Sequence, residues 1–474
     1  MKPSDTLKAA AKVALGTLFL LLVGSAYFWK ERMLFSDASF IVFRIINYGS
    51  LQMQVGRHGA FITQVFPWVA SKAHLPLWLV LWLYSLSFTI FYFLTGWLLY
   101  RMRQYPLTIL LAFYLSLYVS DTYFWTNNEV HQGVAWMLLD FGLLHYLYSR
   151  YGHRVKRFLL YSLPLFAILT FIAIYTHPLV MITFLFLWLF WVLAKESFFV
   201  SKFSFLYLAI VALVCVLKYL ESQNNWYDGG FVHNITHTTL RAVLQTFSSS
   251  LAMDFYKGAI QNYWLLWLFF IAGLLDMYRQ KKYRLLAYTI LSCLGYFIII
   301  CLAFYPSKTF YIESEWMSIS ILATAGFVYF VLPNMAANRA VLLLAVAFGI
   351  RLCYIGFASE KFTKRVQFLD HQVREMRQQR VPKKIVLNQH NTWDTSLLLT
   401  WGLPYETLLL SAMHQDQPTV TMSYLKQEKI TEYEAATYAK GLVSDFGHVE
   451  GRLLNPYYFQ MDTVRPYTIV TTEE

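Results

Sequence analysis

Charge is scarce in this sequence. Only 14% of its 474 residues are Asp, Glu, Lys or Arg, against about a quarter in an average soluble domain. With 57% hydrophobic and 19% aromatic residues, that scarcity excludes an ordinary water-soluble domain. Cysteine is scarce too. Cys215, Cys293, Cys301 and Cys353 fall in or beside apolar runs, which reads as small core residues with no metal spacing and no disulfide framework. No internal repeat is visible, so there is no sequence ground for the inverted-repeat architecture of many transporters. A Gly-rich phosphate loop and a nucleotide fingerprint are absent as well.

What is present is a series of apolar runs. Several reach or approach the ~18–20 residues needed to cross about 30 Å of hydrocarbon. Eleven spans are expected, at roughly 12–29, 76–100, 107–120, 133–149, 158–175, 178–194, 203–220, 263–278, 285–304, 318–333 and 340–357. The third, fourth and tenth are short, which suggests ends sunk into the bundle or broken helices. The N-terminus imitates a signal peptide, but its A-x-A-like cleavage site is poor and an uncleaved first span is expected.

The formal net charge of +12 need not mean nucleic acid. One alternating set of connections holds Lys2, Lys8, Lys12, Arg101, Arg103, Arg150, Arg154, Lys156, Arg157, Lys195, Lys202, Arg279, Lys281, Lys282, Arg284 and Arg339. The positive-inside rule puts this set in the cytoplasm. The N-terminus is then inside. Loops 30–75, 121–132, 221–262 and 305–317 lie outside, as does the tail. The chain divides into a transmembrane helical domain, 1–357, and a C-terminal external domain, 358–474. In the tail, SEKFTKRVQFLDHQVREMRQQR reads as a polar helix with an apolar stripe. KKIVLN and TVTMSY read as short strands, PYETLLLSAM as a short helix and YYFQMDTVRPYTIV as another strand.

The first external loop organises the site. Residues 30–75 are too long for a turn and too apolar for a disordered linker, and they hold Asp37, Arg44, Arg57 and His58. One or two short amphipathic helices on the bilayer surface are expected. Asp37 in FSDASF has a bland reading, in which Ser36 or Asp37 caps the following helix. Its functional reading is a general base. Asp121, Glu129 and His131 share the loop SDTYFWTNNEVHQG. They form either a polar turn in an aromatic belt or a second carboxylate station facing Asp37 across a cavity. His177, before Pro178 in a tight connection, reads first as a packing or capping residue. Loop 221–262 holds His233, His237, Arg241, Asp254 and Lys257. HNITH would need a third ligand for zinc, and none is near. In YPSKTFYIESEWM, Lys308 sits at the height of lipid phosphates, with Glu313 and Glu315 at the entrance to the next span. Interfacial snorkelling and phosphate neutralisation are both open there.

The order of these features resembles the GT-C superfamily of membrane glycosyltransferases, such as the protein O-mannosyltransferases and lipid A aminoarabinose transferases. The likeness runs over the whole chain. A cytoplasmic N-terminus precedes a long first external loop. An acidic residue follows span one, here Asp37, and another follows span three, here Asp121. A late external loop carries a basic residue, here Lys308, and an external C-terminal domain ends the chain. The resemblance implies an all-α polytopic GT-C-like fold with a small C-terminal α/β domain. It also implies inverting transfer of a sugar from a polyprenyl-phosphate donor to a hydroxyl on a glycan, lipid or protein acceptor. Asp37, Asp121 and Glu129 would then be catalytic, and Arg57, His58 and Lys308 would hold the donor phosphate. His131, His177 and Arg241 are further candidates. Neither a cofactor nor a metal is expected, nor is nucleic acid a partner. A bacterial inner membrane is the expected location. Competing readings are an O-antigen polymerase or ligase, which would use Arg241 in place of Asp37, and a flippase or transporter. The mid-span charge of Asp140, with His145 near it, gives the transporter reading thin support. A non-catalytic assembly component is the third competitor.

Overall fold

Run length and composition decide most of the helices. In the computed structural model, which describes residues 5–126, 129–304, 313–388, 397–414, 417–426, 440–445 and 447–471, the chain opens with α1 (Asp5–Tyr27). Around the first loop come α2 (Trp29–Met33), α3 (Ser36–Tyr48) and α4 (Phe61–Lys72). Then follow α5 (Leu77–Arg101), α6 (Tyr105–Tyr114), α7 (Glu129–Tyr151), α8 (Val155–Ile174), α9 (Val180–Leu193) and α10 (Ser204–Asn224). The next connection is helical as well: α11 (Asp228–Thr236), α12 (Leu240–Thr246) and α13 (Ser250–Gln261). After it come α14 (Trp264–Arg279), α15 (Tyr283–Ala303), α16 (Glu313–Trp316), α17 (Ile319–Gly326) and α18 (Ala337–Gln378).

Among the described residues, seven helical segments are long and apolar enough to cross a membrane, or eight if the bent pair Leu240–Gln261 and Trp264–Arg279 is one span. A protein built this way is a polytopic helical one, as an integral membrane protein requires. The eleven apolar runs read from the sequence all lie at least partly in helices, the run at 107–120 leaving its helix after Tyr114, and they are not equal. At 1.5 Å per residue, the 10 residues of α6 cover about half of the hydrocarbon thickness, and the 14 of α9 about two thirds. The segment Glu313–Asn334 is broken. Its α-helical part gives way to a π-helical turn at Phe327–Val331 and a 3-10 turn at Leu332–Asn334. The last contains Pro333, which removes a backbone donor.

The tail forms a small α/β unit. β1 (Lys383–Asn388) is the centre of a three-stranded parallel sheet, ordered β2-β1-β5 with β2 (Thr421–Lys426) and β5 (Thr468–Thr471). β3 (Gly441–Ser444) and β4 (Gly447–Glu450) form an antiparallel pair, and α19 (Leu403–Ala412) packs on β2. The strand expected over YYFQMDTVRPYTIV is confined to its end at β5. The earlier tyrosines do other work: the hydroxyls of Tyr457 and Tyr458 donate to the carbonyls of His74 (2.8 Å) and Leu75 (2.9 Å).

Two features tie the tail to the bundle. First, α18 is one helix of 42 residues with no break where its composition turns polar. Second, Arg365 of α18 and Glu406 of α19 form a fully buried pair. The guanidinium donates to both carboxylate oxygens at 2.7–3.1 Å. Glu406 Oε1 also accepts the backbone N–H of Ser36 at 2.7 Å. Ser36 begins α3 with φ +47°, and the N-cap residue Phe35 offers no side-chain acceptor. Glu406 therefore satisfies an orphan amide at the start of the helix that carries Asp37. Gly402 permits this approach, because a Cβ there would lie 2.7 Å from the Cα of Ser36.

Candidate functional site

Asp37 is the second residue of α3, in its first turn. The capping role open to it from the sequence is not what it does: α3 has no side-chain cap bond, and Asp37 Oδ2 instead accepts the indole N–H of Trp125 at 2.8 Å. Among the described residues no cation pairs with Asp37. The side chain is partly exposed yet set deep in the protein. Desolvation is the largest effect on it, and the charge of Glu129 adds to it. The Trp125 hydrogen bond and Arg57 oppose both. The carboxyl is pushed up to about 7.

Glu129 opens α7 and lies opposite Arg57. Arg57 Nη1 donates to Glu129 Oε2 at 2.7 Å, and Nη2 donates to Asp228 Oδ1 at 3.1 Å. All three side chains are buried, and the guanidinium also sits 5.3 Å from the centre of the Tyr227 ring. Burial works against the charge on Arg57, but Glu129 and Asp228 outweigh it and hold the guanidinium above its ordinary value. Arg57 is brought in by the short turn His58–Ala60. That turn fits against α8 only because residue 59 is glycine: a Cβ there would lie 2.5 Å from the Ile172 carbonyl oxygen. The Trp136 indole donates to the Gly59 carbonyl at 3.2 Å and fixes the turn.

The result is a compact group of three carboxylates around one guanidinium. Glu129 and Asp228 are spent on Arg57, so the carboxylate left to accept a proton is Asp37. Glu129 rather than Asp121 is the acid whose charge acts on Asp37. Asp121 has its own partner, the ammonium of Lys361 on α18. Beside it, Glu313 turns the start of this loop into a rigid post. Its carboxylate accepts the backbone N–H groups of Asp121 at 2.8 Å and Thr122 at 3.1 Å, and that of Ser120 as well. Arg351 holds the same turn from α18, donating to the carbonyls of Ser116 (3.0 Å) and Val119 (2.7 Å).

The other sequence candidates fall in several places. His58 is exposed and stacks on Tyr175, and so does not share Arg57's buried setting. His177 accepts the backbone N–H of Leu179 through Nδ1 at 3.2 Å, the capping role expected of it. Burial first, and then the charges of Arg57 and Lys218, keep it neutral, well below the ordinary histidine value. His131 is buried and joined through Nδ1 to the Tyr114 hydroxyl at 2.9 Å. Arg241 is exposed on α12. His233 and His237 stack with ring centres 4.1 Å apart, and no group of metal-ligating side chains occurs among the described residues. Lys308 lies outside the described residues. Sequence reasoning passed over Asp228, Trp125, Lys361 and Glu406. Trp125 and Asp228 lie in loops already noted as aromatic or polar, but nothing in their local sequence marks them as partners of residues 88 and 171 positions away.

Set against known protein families, curated proteins and solved structures, the chain matches none of them.

Proposed function

We propose that the chain is a membrane glycosyltransferase of GT-C type. It would move a sugar from a polyprenyl-phosphate donor to an acceptor hydroxyl on the external face, with inversion, and Asp37 would be the base. The observation that supports this reading best is the state of Asp37: reachable, without a cation partner among the described residues, and titrating near neutrality. A base is most effective when its pKa lies near the working pH. Glu129 and Arg57 would hold the floor of the site and tune Asp37 electrostatically. Because Arg57 is already matched by two carboxylates, the donor phosphate would need further cations, and Lys308 remains the sequence candidate for that role. Lipid-linked donors place their sugar phosphate at the membrane surface, where the first external loop would sit.

The test is transfer by the purified chain from a radiolabelled polyprenyl-phosphate sugar, followed against pH. Turnover should fall about tenfold per unit below pH ~7, because only ionised Asp37 accepts the proton. Glu129→Gln removes the neighbouring negative charge and should move that acid limb to lower pH. An acid limb near pH 4, or activity insensitive to Asp37 but abolished at Arg241, would turn the reading toward a polymerase or ligase.

The proposed orientation has the N-terminus in the cytoplasm and the C-terminus outside a bacterial inner membrane. Reporter fusions at Arg103, Arg154 and Lys282 should read as cytoplasmic and one at Glu474 as external. A cytoplasmic signal at Glu474 would separate the tail from the external face and break the site as proposed.

A further inference from the structure

A small cavity lies where α1, α5 and α7 meet the turn that follows α6, with a volume of about 40 Å³. A water molecule takes roughly 10–15 Å³ of such space. There is room for a few waters or for one small ion, and none for an organic ligand. Leu18 and Phe88 belong to its apolar wall, and Arg32, Tyr92, Thr126 and His131 to its polar side.

Arg32 is the unusual member. It is 2% exposed and, among the described residues, has no carboxylate partner. Its donors go to neutral acceptors: Nε to Ser85 Oγ at 3.0 Å, Nη2 to the Ser85 carbonyl at 3.3 Å, and Nη1 to the Tyr123 carbonyl. Each terminal nitrogen keeps a second N–H beyond these bonds. A buried guanidinium without a counter-charge is costly. The cavity also collects side-chain atoms with nothing to bond among the described residues. The Tyr92 hydroxyl, Thr126 Oγ1 and His131 Nε2 are all buried and have no partner there, and their residues are 4–7% exposed. Buried polar atoms normally find partners. When the Tyr114 hydroxyl donates to His131 Nδ1 across 2.9 Å, the neutral ring carries its proton on Nε2. The set then offers two hydroxyls, one imidazole N–H and one fixed positive charge. Glu129, a carboxylate whose charge reaches Tyr92, is already bound to Arg57.

We propose that this cavity is a binding site for one small monovalent anion of chloride's size. A single negative charge balances the single charge of Arg32, whereas a divalent anion would leave an excess. The ion accepts from the hydroxyls of Tyr92 and Thr126 and from His131 Nε2, which replaces its lost hydration with charge-assisted hydrogen bonds. It fastens α2, α5 and α7 around one turn. Arg32 holds the Tyr123 carbonyl in that turn, and the Trp125 indole just beyond it holds Asp37. The ion thus braces the wall behind that carboxyl without touching it, and the proposal does not depend on sugar transfer.

The test melts the full chain in a neutral detergent and sodium gluconate, with chloride replacing gluconate stepwise at constant ionic strength. The melting temperature should rise along a saturating curve, by about 2 °C once chloride is far above its Kd. Bromide should act as chloride does. Sulfate, at matched ionic strength, should give no saturating rise. Tyr92→Phe and Thr126→Val should each raise the chloride concentration at half effect by about tenfold or more, the worth of a hydrogen bond to a charged group. Neither substitution removes a bond seen in the free protein, so in gluconate alone both variants should melt like the wild type. This pair is preferred to Arg32→Gln, which removes bonds to Ser85 and Tyr123 and can unfold the turn. Asp37→Asn should keep the wild-type chloride midpoint, which separates this site from the catalytic reading. A flat or unsaturating response to chloride, an equal saturating response to sulfate, or the wild-type midpoint in both hydroxyl variants would overturn the proposal and leave a cavity for water alone.

Discussion

Asp37→Asn should lower turnover by about 10²–10⁴-fold, the usual contribution of a general base, and at the same time make the protein more stable at pH 8. The two effects have one cause. Asn keeps an oxygen for the Trp125 indole but can neither take a proton nor carry the charge that the site resists. The sign follows from the shift. Asp37 titrates near 7 when folded, against 3.8 for an unperturbed aspartate. Its contribution to stability is therefore present in full below about pH 4 and lost as pH rises toward 7. Three pH units correspond to at most about 4 kcal/mol, less a discount for the partial exposure of the side chain. Opposing this, the N-terminal dipole of α3 favours a carboxylate by about 0.3–1 kcal/mol. Desolvation is the larger effect, so the Asn variant should melt higher at pH 8, and the gap should narrow by pH 5 and close only below about pH 4. A purely structural Asp37 predicts the reverse pattern: unchanged turnover, with stability equal or slightly lower. Melting curves at the two pH values, measured with a transfer assay on the same preparations, decide between them. Near wild-type transfer by the Asn protein would remove Asp37 as the base.

The helices were legible because hydropathy acts locally. Each apolar run read from the chain fell largely on a helix, though 107–120 leaves its helix after Tyr114 and 318–333 is broken, and KKIVLN, TVTMSY and PYETLLLSAM fell on β1, β2 and α19. Lengths were less legible. The run expected at 178–194 is almost wholly apolar, but its helix α9 spans only the 14 residues VMITFLFLWLFWVL, and composition alone does not say how much of the membrane so short a piece covers. The site was legible as a set of residue types and not as a set of partners. Asp37, Arg57 and Glu129 stood out as ionisable groups in aromatic loops. Which of them would meet depended on contacts across 72 and 171 positions, Arg57 with Glu129 and with Asp228. Asp121 looked equivalent to Glu129 from its place beyond a span, but Lys361 of α18 was there to take it. Nothing near Asp121 in the chain announces a lysine 240 positions on.

The least legible link is also the one whose loss should cost most stability. Glu406→Gln should destabilise the protein by about 3–5 kcal/mol, because removing one partner of a buried ion pair leaves the other charge uncompensated. Arg365 is 1% exposed and Glu406 fully buried, so water cannot replace the lost carboxylate. Burial alone would favour a protonated Glu406 and raises it above the ordinary glutamate range. Arg365 and the Ser36 amide pull the other way, and the bidentate geometry marks the charged form as the one built in. The glutamine side chain of this variant would still offer one oxygen, but its amide group would face the guanidinium where the second oxygen had been. Ser36 would then compete with Arg365 for the single acceptor, and α3 would loosen at the turn that carries Asp37. Replacing both partners separates stability from positioning. Arg365→Met with Glu406→Leu removes the charge pair together, and such exchanges are often neutral or stabilising. That double variant should recover most of the melting temperature yet remain impaired in transfer, because Ser36 N–H still lacks its acceptor. Recovery of both would mean that the pair only fastens the tail. A Glu406→Gln protein as stable as the wild type would show that the pair is not sealed from water, and that α3 owes its start to something other than the tail.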